Sequence, residues 1–74
     1  MIYIYFGADW CGPCNVIKPQ VQSSGKVNQF VDVDQNKEMA TKYNVRSIPT
    51  ILGIDGDNVV ERYSGTQITQ FINR

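Results

Sequence analysis

The sequence predicts an α/β protein with the element order β-α-β-α-β-β-α and a mixed sheet of four strands. Three observations carry that reading. Short apolar runs at Ile2 to Phe6, Val27 to Val33, Thr50 to Ile54 and Val59 to Tyr63 are separated, over the first half of the chain, by stretches with helical spacing. A helix joins the first two strands, which makes them parallel. The turn sequence Asp55-Gly56-Asp57-Asn58 joins the last two, which makes them antiparallel.

Ile2-Tyr3-Ile4-Tyr5-Phe6 is apolar on both faces, so the first strand is expected at the centre of the sheet. Gly7, Ala8 and Asp9 turn the chain into Trp10-Cys11-Gly12-Pro13-Cys14. The first helix is expected from Pro13 to Ser23, with Val16, Ile17 and Val21 as its apolar stripe. Pro19 in its interior is expected to kink it. Phe30-Val31-Asp32-Val33 supplies the core of the second strand. Asp34 or Asn36 is the candidate N-cap of the second helix, whose inward face holds Met39, Ala40 and Tyr43. The stretch from Val45 to Pro49 is a loop entering the third strand. After the fourth strand, Ser64-Gly65 breaks the extended run and Thr66 is expected to cap a last helix with Ile68, Phe71 and Ile72 facing inward.

Seventy-four residues make one domain, 1–74, near the lower limit for a self-sufficient core. Seven acidic and seven basic residues cancel without a block of one sign, so charge recruits neither nucleic acid nor a membrane surface. No apolar run approaches the length of a membrane span. The first strand begins at Ile2 with no basic leader or cleavage site before it, and the expected compartment is the cytoplasm. A monomer is the default expectation.

The two cysteines are the only ones in the chain, and they fall where a strand ends and a helix begins. A helix N-terminus presents unpaired N–H groups and about half a positive charge, which stabilise a thiolate. Cys11 is therefore expected to be acidic and reactive, with Cys14 one turn further in, more buried, and able to close a disulfide with it. Pro13 suits the first turn because its missing N–H has no partner there. As a staple the pair is poorly placed, since closing so short a loop contributes about 2 kcal/mol against about 3 for a fifteen-residue loop. Zinc takes four ligands, and with no His and no further Cys only a site shared across a dimer would supply them. In the cytoplasm a closely spaced pair is more often catalytic than structural. The pattern reads as a redox site with an attacking and a resolving thiol, needing no metal and no organic cofactor.

The chain resembles the thioredoxin family. Trp10-Cys11-Gly12-Pro13-Cys14 is identical to that family's active-site motif, and Pro19 stands where its members kink the helix. Asp34-Gln35-Asn36, Lys42-Tyr43, Arg46-Ser47-Ile48-Pro49-Thr50 and Gly65 follow the same pattern over nearly the whole chain. The resemblance implies the thioredoxin-like fold with helices on both faces of the sheet. It also implies a cis Ile48–Pro49 bond facing the cysteines, and an apolar apron of Trp10, Gly12, Pro13, Ile48, Pro49 and Gly65 around Cys11 that receives an extended substrate segment. The implied activity is reduction of protein disulfides, recharged by a thioredoxin-reductase-like donor, with Pro13 holding the pair toward the reducing end of a scale on which thioredoxin itself lies at about −270 mV.

Three departures qualify the resemblance. The chain opens at the strand leading to the cysteines, without the strand and helix that open a full-length thioredoxin; what remains resembles the minimal core of glutaredoxins, in which the first strand neighbours the second and third. Tyr5 stands where the family carries a buried acid, and Phe30 where it carries the accompanying lysine. Water, or less favourably the Tyr5 hydroxyl, is left to move the proton of the resolving thiol. Asp9, two residues before Cys11, is a solvated turn residue or a charge that opposes the helix dipole.

Three rival functions stand beside the reductase. A glutathione-recharged, glutaredoxin-like enzyme fits the small size and the missing acid, but the motif lacks the Pro-Tyr pair and the paired-glycine and acidic segment that holds glutathione. A thioredoxin-fold binding subunit would keep the fold with redox incidental. A dimer would share zinc or an iron–sulfur cluster through the cysteines.

Overall fold

In the computed structural model, which describes residues 1–74, the chain runs β1 (Ile2–Gly7), α1 (Gly12–Ser24), β2 (Gln29–Asp32), α2 (Lys37–Lys42), β3 (Thr50–Asp55), β4 (Asn58–Ser64) and α3 (Thr66–Ile72). The order of elements is the one the sequence predicts. The strands form one sheet in the order β2-β1-β3-β4. β1 pairs parallel with β2 and antiparallel with β3, and β3 pairs antiparallel with β4. β1 thus has a neighbour on each side, as its two-faced apolar sequence requires.

Alternation along β1 divides the core in two. Ile4 and Phe6 point to one face, where Val31, Leu52 and Ile54 are buried with them and Met39 of α2 and Tyr43 at its C-cap pack against the cluster. Tyr5 points to the other, with Ile51, Val21 of α1, and Ile68 and Phe71 of α3. The helices therefore cover both faces, α1 and α3 on one and α2 on the other. No helix is long and apolar enough to cross a membrane.

Several local expectations are corrected. The apolar stripe of α1 is Cys14, Ile17 and Val21, spaced three and four residues apart, and Val16 lies off it, 69% exposed. β2 is shorter than its apolar run: Val27 and Val33 lie outside the strand, although both pack against the core. Thr66 is the first residue of α3, and Gly65 occupies the cap position with no side-chain bond. The Gln67 side chain instead reaches back to accept from the Ser64 N–H at 3.1 Å. Asn36 is the N-cap of α2 but makes no capping bond with its side chain. α1 begins one residue before and ends one residue after its expected limits, and continues through Pro19.

The register brings one end of the sheet to a single point. Phe6 is opposite Thr50, and Thr50 is opposite Ser64. The chain leaving β1 toward the cysteines, the chain arriving at β3 through Pro49, and the chain leaving β4 through Gly65 therefore meet at the same edge. Gly65 has φ +56° and ψ −132°, a backbone conformation that side-chain-bearing residues avoid.

Candidate active site

Cys11 is the N-cap of α1, with extended backbone angles of −84° and 108°. Its backbone N–H donates to the Ala8 carbonyl at 3.1 Å, and its carbonyl accepts from the Asn15 N–H at 3.1 Å, so the chain is fixed on both sides of the sulfur. Pro13 lies in the first turn. The decisive contact is the backbone N–H of Cys14, which donates to Cys11 Sγ at 3.2 Å. A sulfur thus takes the place that an Asp or Ser oxygen usually takes at a helix start. Negative charge on that sulfur is stabilised by this bond and by the aligned peptide dipoles behind it.

Cys11 and Cys14 form a disulfide, with their Cα atoms 5.2 Å apart. Both are buried, Cys11 at 6% exposure and Cys14 at 2%, so the resolving position is the deeper one. They rest on Ala8, with Val33 and Ile48 packed beside them. The Ile48–Pro49 bond is cis, and the Ile48 carbonyl oxygen lies 4.0 Å from Cys11 Sγ. The resemblance implied that bond; nothing in the local sequence demanded it.

Around this centre Gly12 and Pro13 are exposed. Trp10 is 70% exposed, and its indole Nε1–H donates to Asp34 Oδ2. Asp34 is held in turn by the loop after β2, where Asp32 Oδ1 accepts from the Asp34 N–H at 2.8 Å, an Asx turn. The sequence offered Asp34 only as a possible helix cap. Its partnership with Trp10 spans 24 residues, and no local pattern signals it.

Asp9 is exposed, and it is the backbone carbonyl of this residue that takes part in the site, accepting from Asn15 Nδ2 at 2.9 Å. Tyr5 is 2% exposed, and its hydroxyl donates to the Cys14 carbonyl at 3.4 Å. Burial pushes its pKa up to about 12. Its ring packs against Phe30 with centroids 5.4 Å apart, so the two positions that depart from the thioredoxin pattern are neighbours. Gly7, expected only as a turn residue, makes room for that ring: a Cβ there would lie 2.8 Å from Tyr5 Cε1 and 2.9 Å from its hydroxyl oxygen. The signal for it was present, since a glycine inside a strand marks a close approach.

The family model described as Thioredoxin matches residues 1–74. Thioredoxin-T of Drosophila melanogaster is 41% identical over 71 residues, an alignment covering 88% of this chain and 45% of that protein. The thioredoxin of Bacillus subtilis (strain 168) is 46% identical over 66 residues, covering 81% and 64%. Among solved structures, Fasciola hepatica thioredoxin superposes with a TM-score of 0.82 at 40% identity, covering 97% of this chain and 74% of that one. Thioredoxin 1 from Thermosipho africanus does so with a TM-score of 0.82 at 26% identity, covering 99% and 88%. The chain spans less than half the length of several curated relatives it matches, Thioredoxin-T and the mitochondrial thioredoxin of Mus musculus among them.

Proposed function

The chain belongs to the thioredoxin family, and from that premise we propose that it is a thiol–disulfide oxidoreductase that reduces protein disulfides. The Cys11 thiolate attacks one sulfur of the substrate disulfide, and the other substrate sulfur leaves as a thiolate and takes up a proton. The Cys14 thiol then loses its proton and attacks Cys11 Sγ. The second substrate sulfur is released, and Cys11 and Cys14 are left oxidised. The observation that supports this assignment of roles is the Cys14 N–H bonded to Cys11 Sγ at 3.2 Å, since it favours charge on the first sulfur and not the second.

The substrate segment lies in extended form against the cis-proline loop, with the Ile48 backbone as its pairing edge. Trp10, Gly12, Pro13, Pro49 and Gly65 form the surrounding apron; the convergence of Thr50 and Ser64 on the end of β1 supports their grouping. The electron donor is a reductase of the thioredoxin-reductase kind, the compartment is the cytoplasm, and the working form is a monomer.

Insulin reduction tests the reading. Turnover is expected with a thioredoxin reductase and NADPH, and none with glutathione alone. Turnover with glutathione alone makes the protein glutaredoxin-like. Failure with both donors, in protein whose disulfide is reducible, leaves a binding module.

A further inference from the structure

The cavity beside the resolving cysteine is not accounted for by the chemistry at Cys11. It has a volume of about 300 Å³, and its walls include Tyr5, Gly7, Cys14, Lys18, Phe30 and Asp32. Ile48, whose carbonyl oxygen lies 4.0 Å from Cys11 Sγ, is not among its walls. Water occupies about 30 Å³ in the liquid, so the space admits several molecules. Tyr5 and Cys14 both line it, although each is only 2% exposed.

We propose that this cavity is the proton port of Cys14 and that Tyr5 is a positioning residue at its inner end. The inference rests on the thiol–disulfide exchange proposed above. The Tyr5 hydroxyl donates its hydrogen to the Cys14 carbonyl, which leaves its oxygen lone pairs free to accept from a cavity water. That water then presents its own oxygen to the Cys14 thiol. In the resolving step the Cys14 S–H bond breaks and the proton passes to this water and out through the cavity. The new bond forms between Cys14 Sγ and Cys11 Sγ, and the substrate sulfur leaves with the electron pair of the mixed disulfide.

Three features support the placement. Gly7 leaves no Cβ where the Tyr5 ring must lie, and Phe30 packs the ring from the β2 side. With its pKa near 12 the phenol keeps its proton throughout the working range, so it orients water without becoming the base. The other charged groups facing the cavity are Asp9 before α1, Lys18 on α1 and Asp32 at the end of β2.

The test is the reaction of fully reduced protein with dithio-bis-nitrobenzoate, followed by stopped flow over a range of pH. The first thionitrobenzoate is released when Cys11 attacks, and the second when Cys14 resolves the mixed disulfide. In Tyr5→Phe, which keeps the ring and its packing, the second phase is expected to slow about threefold to tenfold at neutral pH, its pH midpoint rising by about half a unit to one unit. The first phase should be unchanged. Gly7→Ala, which displaces the ring, should shift the second phase in the same direction. Superimposable second phases in wild type and Tyr5→Phe overturn the proposal, as does an equal slowing of both phases. If the wild type releases no thionitrobenzoate at all, the exchange reading itself fails.

Discussion

The backbone N–H of Cys14 donates to the sulfur of Cys11 at 3.2 Å, so the two cysteines are joined by a hydrogen bond as well as by their disulfide. The bond runs one way: the amide of the deeper residue serves the sulfur of the shallower one. Exchange chemistry needs that asymmetry, because only one of the two thiols should attack first. Cys11→Ser is therefore expected to reduce no disulfide substrate. Cys14→Ser should still attack once and accumulate as a mixed disulfide, visible by intact mass. Trapping by Cys11→Ser instead would reverse the roles.

Asp34 acts on the same surface through Trp10. The indole is mostly exposed and has one polar anchor, the Asp34 carboxylate, which an Asx turn holds in place. Asp34→Ala should free the ring and raise KM for a protein disulfide about fivefold, the worth of a hydrogen bond of about 1 kcal/mol. On the proposed apron the ring contacts substrate and not the sulfurs, so kcat should change little. A fall in kcat with KM unmoved would place Asp34 in the chemistry itself.

Stability rests on a small number of buried side chains. Leu52, fully buried on β3, packs with Ile4, Phe6, Val31 and Ile54. Leu52→Ala should cost about 2–5 kcal/mol, transfer and cavity contributions together. A domain of this size has about 4–11 kcal/mol in all, so the variant lies near the edge of folding. Urea titration should show a lower midpoint with an unchanged slope. A loss below about 1 kcal/mol would mean that the core collapses around the gap.

Tyr5 also makes a prediction at alkaline pH. Its hydroxyl ionises near pH 10 in the unfolded chain and at about 12 in the folded one, because burial disfavours the phenolate. A raised pKa contributes stability that is fully present below pH 10 and is lost as pH rises toward 12. The stability difference between wild type and Tyr5→Phe should therefore shift against the wild type across that window. Tyr3 and Tyr63 are raised too, but both proteins share them and their effects cancel. A difference independent of pH between 10 and 12 would show that Tyr5 ionises no later folded than unfolded.

How far the sequence could be read depends on the range of each contact. Element order, strand directions and the cysteines at a helix start follow from local periodicity and turn chemistry, and all appear in the structure. The cis Ile48–Pro49 bond was legible only through family resemblance, since most X–Pro bonds are trans. Val16 was misplaced because two adjacent apolar residues on a helix point about 100° apart, and only Ile17 shares the Cys14–Val21 face. Trp10 with Asp34, and Tyr5 with Cys14, are made by tertiary placement. For the second pair the glycine at position 7 was a readable sign. For the first there was none.

The central claim is that the helix start holds the leading sulfur as a thiolate, and its most direct test is a titration of the Cys11 thiol in reduced protein, followed by thiolate absorbance in the Cys14→Ser background. Free cysteine ionises at about pH 8.5, and Cys11 should do so clearly below that value. A Cys11 pKa at or above about 8.5 would contradict the account, because the Cys14 amide would then give the sulfur no charge stabilisation.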